Sequence, residues 1–314
     1  MSFRVKLLLL VLAVPCAAAF ALWCGPLHDP GMEILLRVRL PRVLMAMLTG
    51  AALAGAGTVM QGALRNPLAD PYIMGTSAGA AVGFMLAVLA GAAQGSPLFY
   101  LITGLCAFAA TAASYFVARV KGRTSAVSLL LAGVIVNSFL GAVLLLFFTV
   151  LRSESFSVLI FMMGSVTEGT PALWFYGGLL FAAGAVLGYL PARAIDILSL
   201  GEEKACALGI NPEVLKLLMF LSAALMTAAA VAASGVIGFA GLIVPHAMRI
   251  MFGPGHKRLF PASVLCGAAF LAVMDGLART VAAPAEIPVG IFTALCGAPF
   301  FLYLMRKQGG EYRF

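Results

Sequence analysis

The chain has 314 residues, of which 62% are hydrophobic and 10% charged, with a mean hydropathy of +1.06. A soluble domain averages about half apolar and about a quarter charged residues, so polar side chains here are too few to cover a water-facing globule, and a large soluble domain is excluded. The net charge of +8 sits in short gaps between apolar runs, where Lys and Arg orient helices in a bilayer; it is not read as a nucleic-acid footprint.

Apolar runs bounded by charge, Pro or Gly fall at residues 6–24, 43–64, 73–91, 97–118, 125–149, 171–191, 214–233, 236–252, 260–280 and 288–305. At about 20 residues per span they predict an all-α polytopic membrane protein, ten transmembrane helices packed as one compact domain over residues 1–314. The first run follows Arg4 and Lys6 and imitates a secretory leader, yet it continues to Trp23 and Cys24 and reads as an uncleaved first helix. Residues 151–170 have an apolar centre of about seven residues, too short to cross, and are expected to rest against the outer rim as a short helix. Residues 192–213, with Glu202, Glu203 and Lys204 between glycines, predict one or two short helices at the membrane surface.

Ten spans put both termini on one side. With the N-terminus inside, fifteen of the 20 Lys and Arg fall on inner segments, and Arg37, Arg39, Arg42, Arg152 and Arg279 fall outside. The reverse orientation would invert the bias that membranes enforce, so both termini are expected in the cytoplasm.

Gly75, Gly79 and Gly83 recur at four-residue spacing, as do Gly184 and Gly188, which predicts close helix packing. Gly133, Asn137 and Gly141 share a face of the fifth run. An amide at mid-membrane depth must face protein or water, so this stripe either lines a pathway or makes an interhelical hydrogen bond. The six Cys contain no CxxC pair and read as small packing residues.

His28, His246 and His256 have no metal-ligand spacing, and no GxxxxGK[ST] phosphate loop occurs. No Ser, His and Asp set converges as a membrane hydrolase would require. Asp275 is the one acidic residue well inside a run, with Arg279 four positions on, which reads as an intrahelical ion pair. A proton relay at Asp275 is the alternative. With neither an ATP site nor a clear ion relay, the energy source is expected on another subunit.

Three long motifs now become informative. The run LPRVLMAMLTGAALAGAGTVMQGALRNPLADPYIMGTSAGA over residues 40–80 resembles the signature of permeases in ATP-binding-cassette importers for iron-siderophore complexes, haem and cobalamin, the FecCD-type family. SGVIGFAGLIVPHAMR over residues 234–249 and AEIPVGIFTALCGAPF over residues 285–300 resemble its other hallmarks, with LSLGEEKACALGINP between, all in order. The resemblance implies a type II importer permease fold of ten helices and a homodimer in the bacterial cytoplasmic (inner) membrane. It further implies two ATP-binding-cassette ATPase subunits on the cytoplasmic side and an extracytoplasmic substrate-binding protein.

By the same resemblance the chain has no catalytic, cofactor or metal residues, and ATP is used on the partner subunit. Gly201, Glu202, Glu203, Ala207, Leu208 and Gly209 would couple to the ATPase, Gly133, Asn137 and Gly141 would line the path, and Arg39, Arg42 and Arg279 would dock the binding protein. Arg37 and Arg152 have no comparable match. The expected cargo is an iron-siderophore complex, with haem next. A cobalamin importer is one alternative, and an ion-coupled secondary transporter built around Asp275 is another of a different class.

Pro ends or kinks helices, so NPLADP (Pro67, Asp70, Pro71) and GLIVPH (Pro245, His246) are expected to shape the inner mouth. They lie in opposite halves with opposite membrane direction, as in an inverted repeat. His246 reads as a hydrogen-bonding residue near the inner helix end.

Overall fold

The computed structural model describes residues 3–25, 31–150 and 155–307. His28, Arg152 and Arg313 lie outside these described residues. The chain folds as α1 (Phe3–Trp23), α2 (Met32–Ala63), α3 (Thr76–Leu89), α4 (Pro97–Ala118), α5 (Ala126–Val150), α6 (Ser155–Met163), α7 (Pro171–Tyr189), α8 (Ala192–Ser199), α9 (Glu202–Ala207), α10 (Pro212–Ser234), α11 (Ala240–Phe252), α12 (His256–Thr280) and α13 (Val289–Lys307). Among the described residues seven helices, α1, α2, α4, α5, α7, α10 and α12, are long and apolar enough to cross a membrane. The shorter apolar helices α3, α11 and α13 occupy the other three expected runs.

Local chemistry sets many of the starts. Ser96, Thr170 and Asn211 each precede a Pro, and their side chains accept from backbone N–H groups of the first turn of α4, α7 and α10. A polar cap followed by Pro at the first helical position satisfies orphan donors with the backbone already preset.

α3 and α11 have 14 and 13 residues, about 20 Å at 1.5 Å per residue, against a hydrocarbon core of about 30 Å. The expected spans 73–91 and 236–252 are therefore each part helix and part irregular chain. Before α3 runs a tight 3-10 turn, Pro71–Met74, ended by Gly75 at φ +85°. Before α11 the chain is irregular from Gly235, which takes φ +69°, to Phe239, which takes φ +67°.

α2 runs through the centre, buried over most of its length and packed on α12, α10 and α11. It crosses α12 where Gly50 meets Gly267: a Cβ on either glycine would run into the other's carbonyl oxygen. Such backbone contact is how helices gain packing energy in lipid. The predicted stripes behave likewise, Gly79 and Gly83 against α4, Gly184 and Gly188 against α10.

Two details differ from expectation. α2 begins at Met32, well before residue 43, through a π-helical stretch at Leu35–Arg39; its arginines are accommodated rather than excluded. The chain is not wholly α-helical, since a small antiparallel hairpin, β1 (Arg119–Val120) and β2 (Arg123–Thr124), follows α4. Lys121 and Gly122 at its turn both have positive φ, the backbone of the two-residue turns that suit strand twist. Residues 192–213 hold two short helices, α8 and α9, and residues 155–163 form the short helix α6, both as expected.

One end of the bundle, the hairpin end, carries β1–β2, α8 and α9. The opposite end, the arginine end, carries α6 and the connection between α12 and α13.

Candidate functional site

Three of the five arginines expected outside, Arg39, Arg42 and Arg279, converge at the arginine end. Arg39 is 4% exposed, and its guanidinium donates to the carbonyls of Leu22 (2.9 Å) and Trp23 (3.2 Å). Arg279 donates to the carbonyl of Ala21 at 2.9 Å. These are the last carbonyls of α1, which no helical N–H can reach and whose partial negative charge favours cations.

Asp275, 1% exposed, joins the cluster from α12. It pairs with Arg279 at 3.0 Å, the expected intrahelical pair, and with Arg42 at 3.2 Å. Arg42 also grips Glu286, its two terminal nitrogens 2.9 and 3.1 Å from the two carboxylate oxygens. This is the bidentate geometry in which Arg binds carboxylate best. Glu286 is half exposed, whereas Asp275 is sealed in. Arg37 stands apart, in an exposed pair with Glu33. Sequence reasoning missed Glu286, which sits between helices with no periodic signal.

The middle of the bundle is organised by the turn before α3. Asp70 caps it by accepting from Tyr72 N at 2.8 Å. Asn137 of α5 donates to the carbonyls of Ile73 (3.2 Å) and Tyr72 (3.4 Å), Ser114 of α4 donates to Met74 O (2.8 Å), and Thr76 donates to Pro71 O (3.2 Å). Backbone groups inside a bilayer must find partners within the protein, and here side chains of neighbouring helices supply them. From the far side Ile237 N donates to the Tyr72 hydroxyl at 3.2 Å, so the two irregular breaks meet. Gly133 lets α5 approach, since a Cβ there would strike the Ile73 carbonyl. Gly141, two turns on, faces open space. Asn137 thus makes the interhelical hydrogen bond that the stripe allowed.

One turn beyond GLIVPH lies a polar bridge: Arg249 donates to Gln61 Oε1 at 2.9 Å, tying α11 to α2. His246 lies edge-on to Phe300.

At the hairpin end, α8 buries Ala192, Ile195 and Leu198 against the bundle. Asp196 Oδ1 accepts from the backbone N and the ring Nδ1 of His256, both at 2.9 Å, fixing α8 to the start of α12. Burial pushes the Asp196 carboxyl up, but these two hydrogen bonds outweigh it and hold the group below its ordinary value. Glu202 pairs with the buried Lys216 at 2.8 Å and reaches Arg65 at 3.8 Å. α9 buries only Ala205. Glu203, Ala207 and Gly209 face outward, and Leu208 is 65% exposed. Of the predicted segment, then, Glu202 is an anchor, and Glu203, Ala207, Leu208 and Gly209 form an outward surface joined at Gly201.

Comparison with known proteins follows the same chain from end to end. The hemin transport system permease protein HmuU of Yersinia pestis is 40% identical over 293 residues, covering 91% of this chain and 87% of that protein. The cobalamin import system permease protein BtuC of Halobacterium salinarum is 38% identical over 316 residues, 94% of this chain and 80% of that one. A metal-chelate type ABC transporter solved in an inward-facing conformation superposes with a TM-score of 0.85 at 32% identity, over 98% of this chain and 100% of that one. Residues 2–307 match the FecCD transport family, and with relatives at this identity along nearly the whole length, the chain is a multi-pass membrane protein that belongs to that family.

Proposed function

We propose that this chain is the membrane-spanning permease subunit of an ATP-binding-cassette importer that carries a metal chelate into the cytoplasm. The observation that supports it is the unbroken match of residues 2–307 to one transport family. An iron-siderophore complex is the first cargo, haem the next, and cobalamin the alternative; the relatives' names include hemin and cobalamin permeases and an iron(3+)-hydroxamate one.

The work is divided. The chain has no phosphate loop, so ATP is hydrolysed on two partner subunits, a soluble binding protein supplies affinity, and two copies of this chain enclose a weakly binding path that opens to each side in turn. The hairpin end and both termini face the cytoplasm of a bacterial inner membrane. Leu208 and its exposed neighbours seat in the ATPase. Because Glu202 and Asp196 tie α8 and α9 to α10 and α12, a push on this segment reaches the spans. The arginine end receives the binding protein through Arg39, Arg42 and Arg279. Arg42 is the member whose present partner, the half-exposed Glu286, another carboxylate can replace. Gly133, Asn137 and Gly141 lie along the path.

The test is uptake into liposomes holding this chain and its ATPase, with binding protein outside and ATP sealed inside, offering ferric siderophore, haem and cobalamin in parallel. ATP-dependent accumulation of one chelate is expected. Uptake needing only this chain and an ion gradient would overturn the reading.

A further inference from the structure

On the flank of the bundle, α4 and α10 leave a groove of about 240 Å3. Its walls are apolar: Phe108, Ala112, Tyr115 and Phe116 from α4, Leu217 and Leu221 from α10. It extends about two helical turns, roughly 12 Å, along α4. Phe116 is 65% exposed, so the groove opens sideways, away from the core.

The hairpin stands directly above it. α4 ends at Ala118, and the next five residues carry Arg119, Lys121 and Arg123, all exposed, with Val120 between them 61% exposed. None of the three cations is in an ion pair among the described residues. The carboxylate beside them, Glu213, is already occupied: it accepts from Thr124 N (3.1 Å) and Thr124 Oγ1 (2.7 Å) and pairs with Lys216 at 3.0 Å. Lys216 in turn donates to the Thr124 carbonyl at 2.6 Å. Tyr115 stands at the top of the groove, three residues before the end of α4. The hairpin is thus bolted to α10, and its cations are fixed where the groove ends.

We propose that groove and hairpin together form a binding site for an anionic phospholipid, one acyl chain lying between α4 and α10 and the phosphate resting on Arg119, Lys121 and Arg123. An apolar slot alone would accept any lipid. Three unpaired cations at its mouth select negative charge, as basic clusters at a membrane surface do, and Val120 between them matches the apolar part of the headgroup boundary.

The test is native mass spectrometry of the purified chain in detergent, titrated with phosphatidylglycerol and with phosphatidylcholine of the same acyl chains. Wild type is expected to retain phosphatidylglycerol about tenfold better or more. The R119Q/K121Q/R123Q variant should lose that preference while binding phosphatidylcholine as before, and Ala112→Phe, which fills the groove, should weaken both. Thermal unfolding of the triple variant should match wild type, since the side chains are exposed and make no ion pair among the described residues. Equal retention of the two lipids by wild type, or a preference that survives the triple change, would overturn the proposal. So would unchanged lipid binding by the triple variant alongside lost ATPase docking, which would make the hairpin a protein contact.

Discussion

The two ends of the bundle use the same chemistry for different purposes. At the arginine end the charges are buried and paired with one another: Arg39 and Arg279 spend donors on the carbonyls of α1, while Asp275 sits between Arg279 and Arg42. At the hairpin end the pairs are half open to water, and they fasten a segment whose outer surface is exposed among the described residues. Where ions are buried, removing one strands the others, and the damage is to the fold. Where one partner of each pair stays exposed, the fold tolerates change better.

The first way to break this contrast is Asp275→Ala. It leaves Arg279 and Arg42 facing each other with half their compensation gone, and breaking a buried pair from one side costs about 3–5 kcal/mol. Unfolding in detergent should shift accordingly, and a loss below about 1 kcal/mol would mean the cluster is hydrated rather than sealed. Next comes Asn137→Ala, which removes the donor to the Ile73 and Tyr72 carbonyls. Hydrogen bonds between helices in membranes average about 0.6 kcal/mol and reach about 1.7. The same unfolding assay should report a loss in that range, and an unchanged midpoint would show that water replaces the amide.

Acidification probes the hairpin end. The Asp196 carboxyl is held below its ordinary value of 3.8 by His256 in the folded chain. Its contribution is therefore present above about pH 4 and fades as the pH falls through the lower folded value. The stability gap between wild type and Asp196→Asn should shrink between pH 5 and pH 3; a constant gap would mean the contact is not ionic. The smallest effect on stability is expected from Leu208→Asp, within about 0.5 kcal/mol for an exposed site. That variant should nonetheless uncouple ATP hydrolysis from transport, and full transport would remove α9 from the coupling surface.

Much of this was legible in the sequence. Hydropathy located all ten apolar helices because each is long or bounded by charge and Pro, and the family motifs identified the kind of protein. The arginines were legible as residues but not as a site. Nothing in a linear pattern says that Arg42 and Asp275, 233 positions apart, touch, or that Glu286 closes the cluster. The early start of α2 was hidden because its arginines, which end an apolar run, are neutralised by tertiary partners. The hairpin did carry a local signal, Lys121-Gly122 between short polar strands, but six residues weigh little beside a neighbouring span.

The bond from Ile237 to the Tyr72 hydroxyl bears on timing. Either broken helix that shifts alone gives up this bond, a loss that averages about 0.6 kcal/mol between helices in membranes and reaches about 1.7. The bond therefore favours joint displacement of the two breaks by a factor of a few to about fifteen.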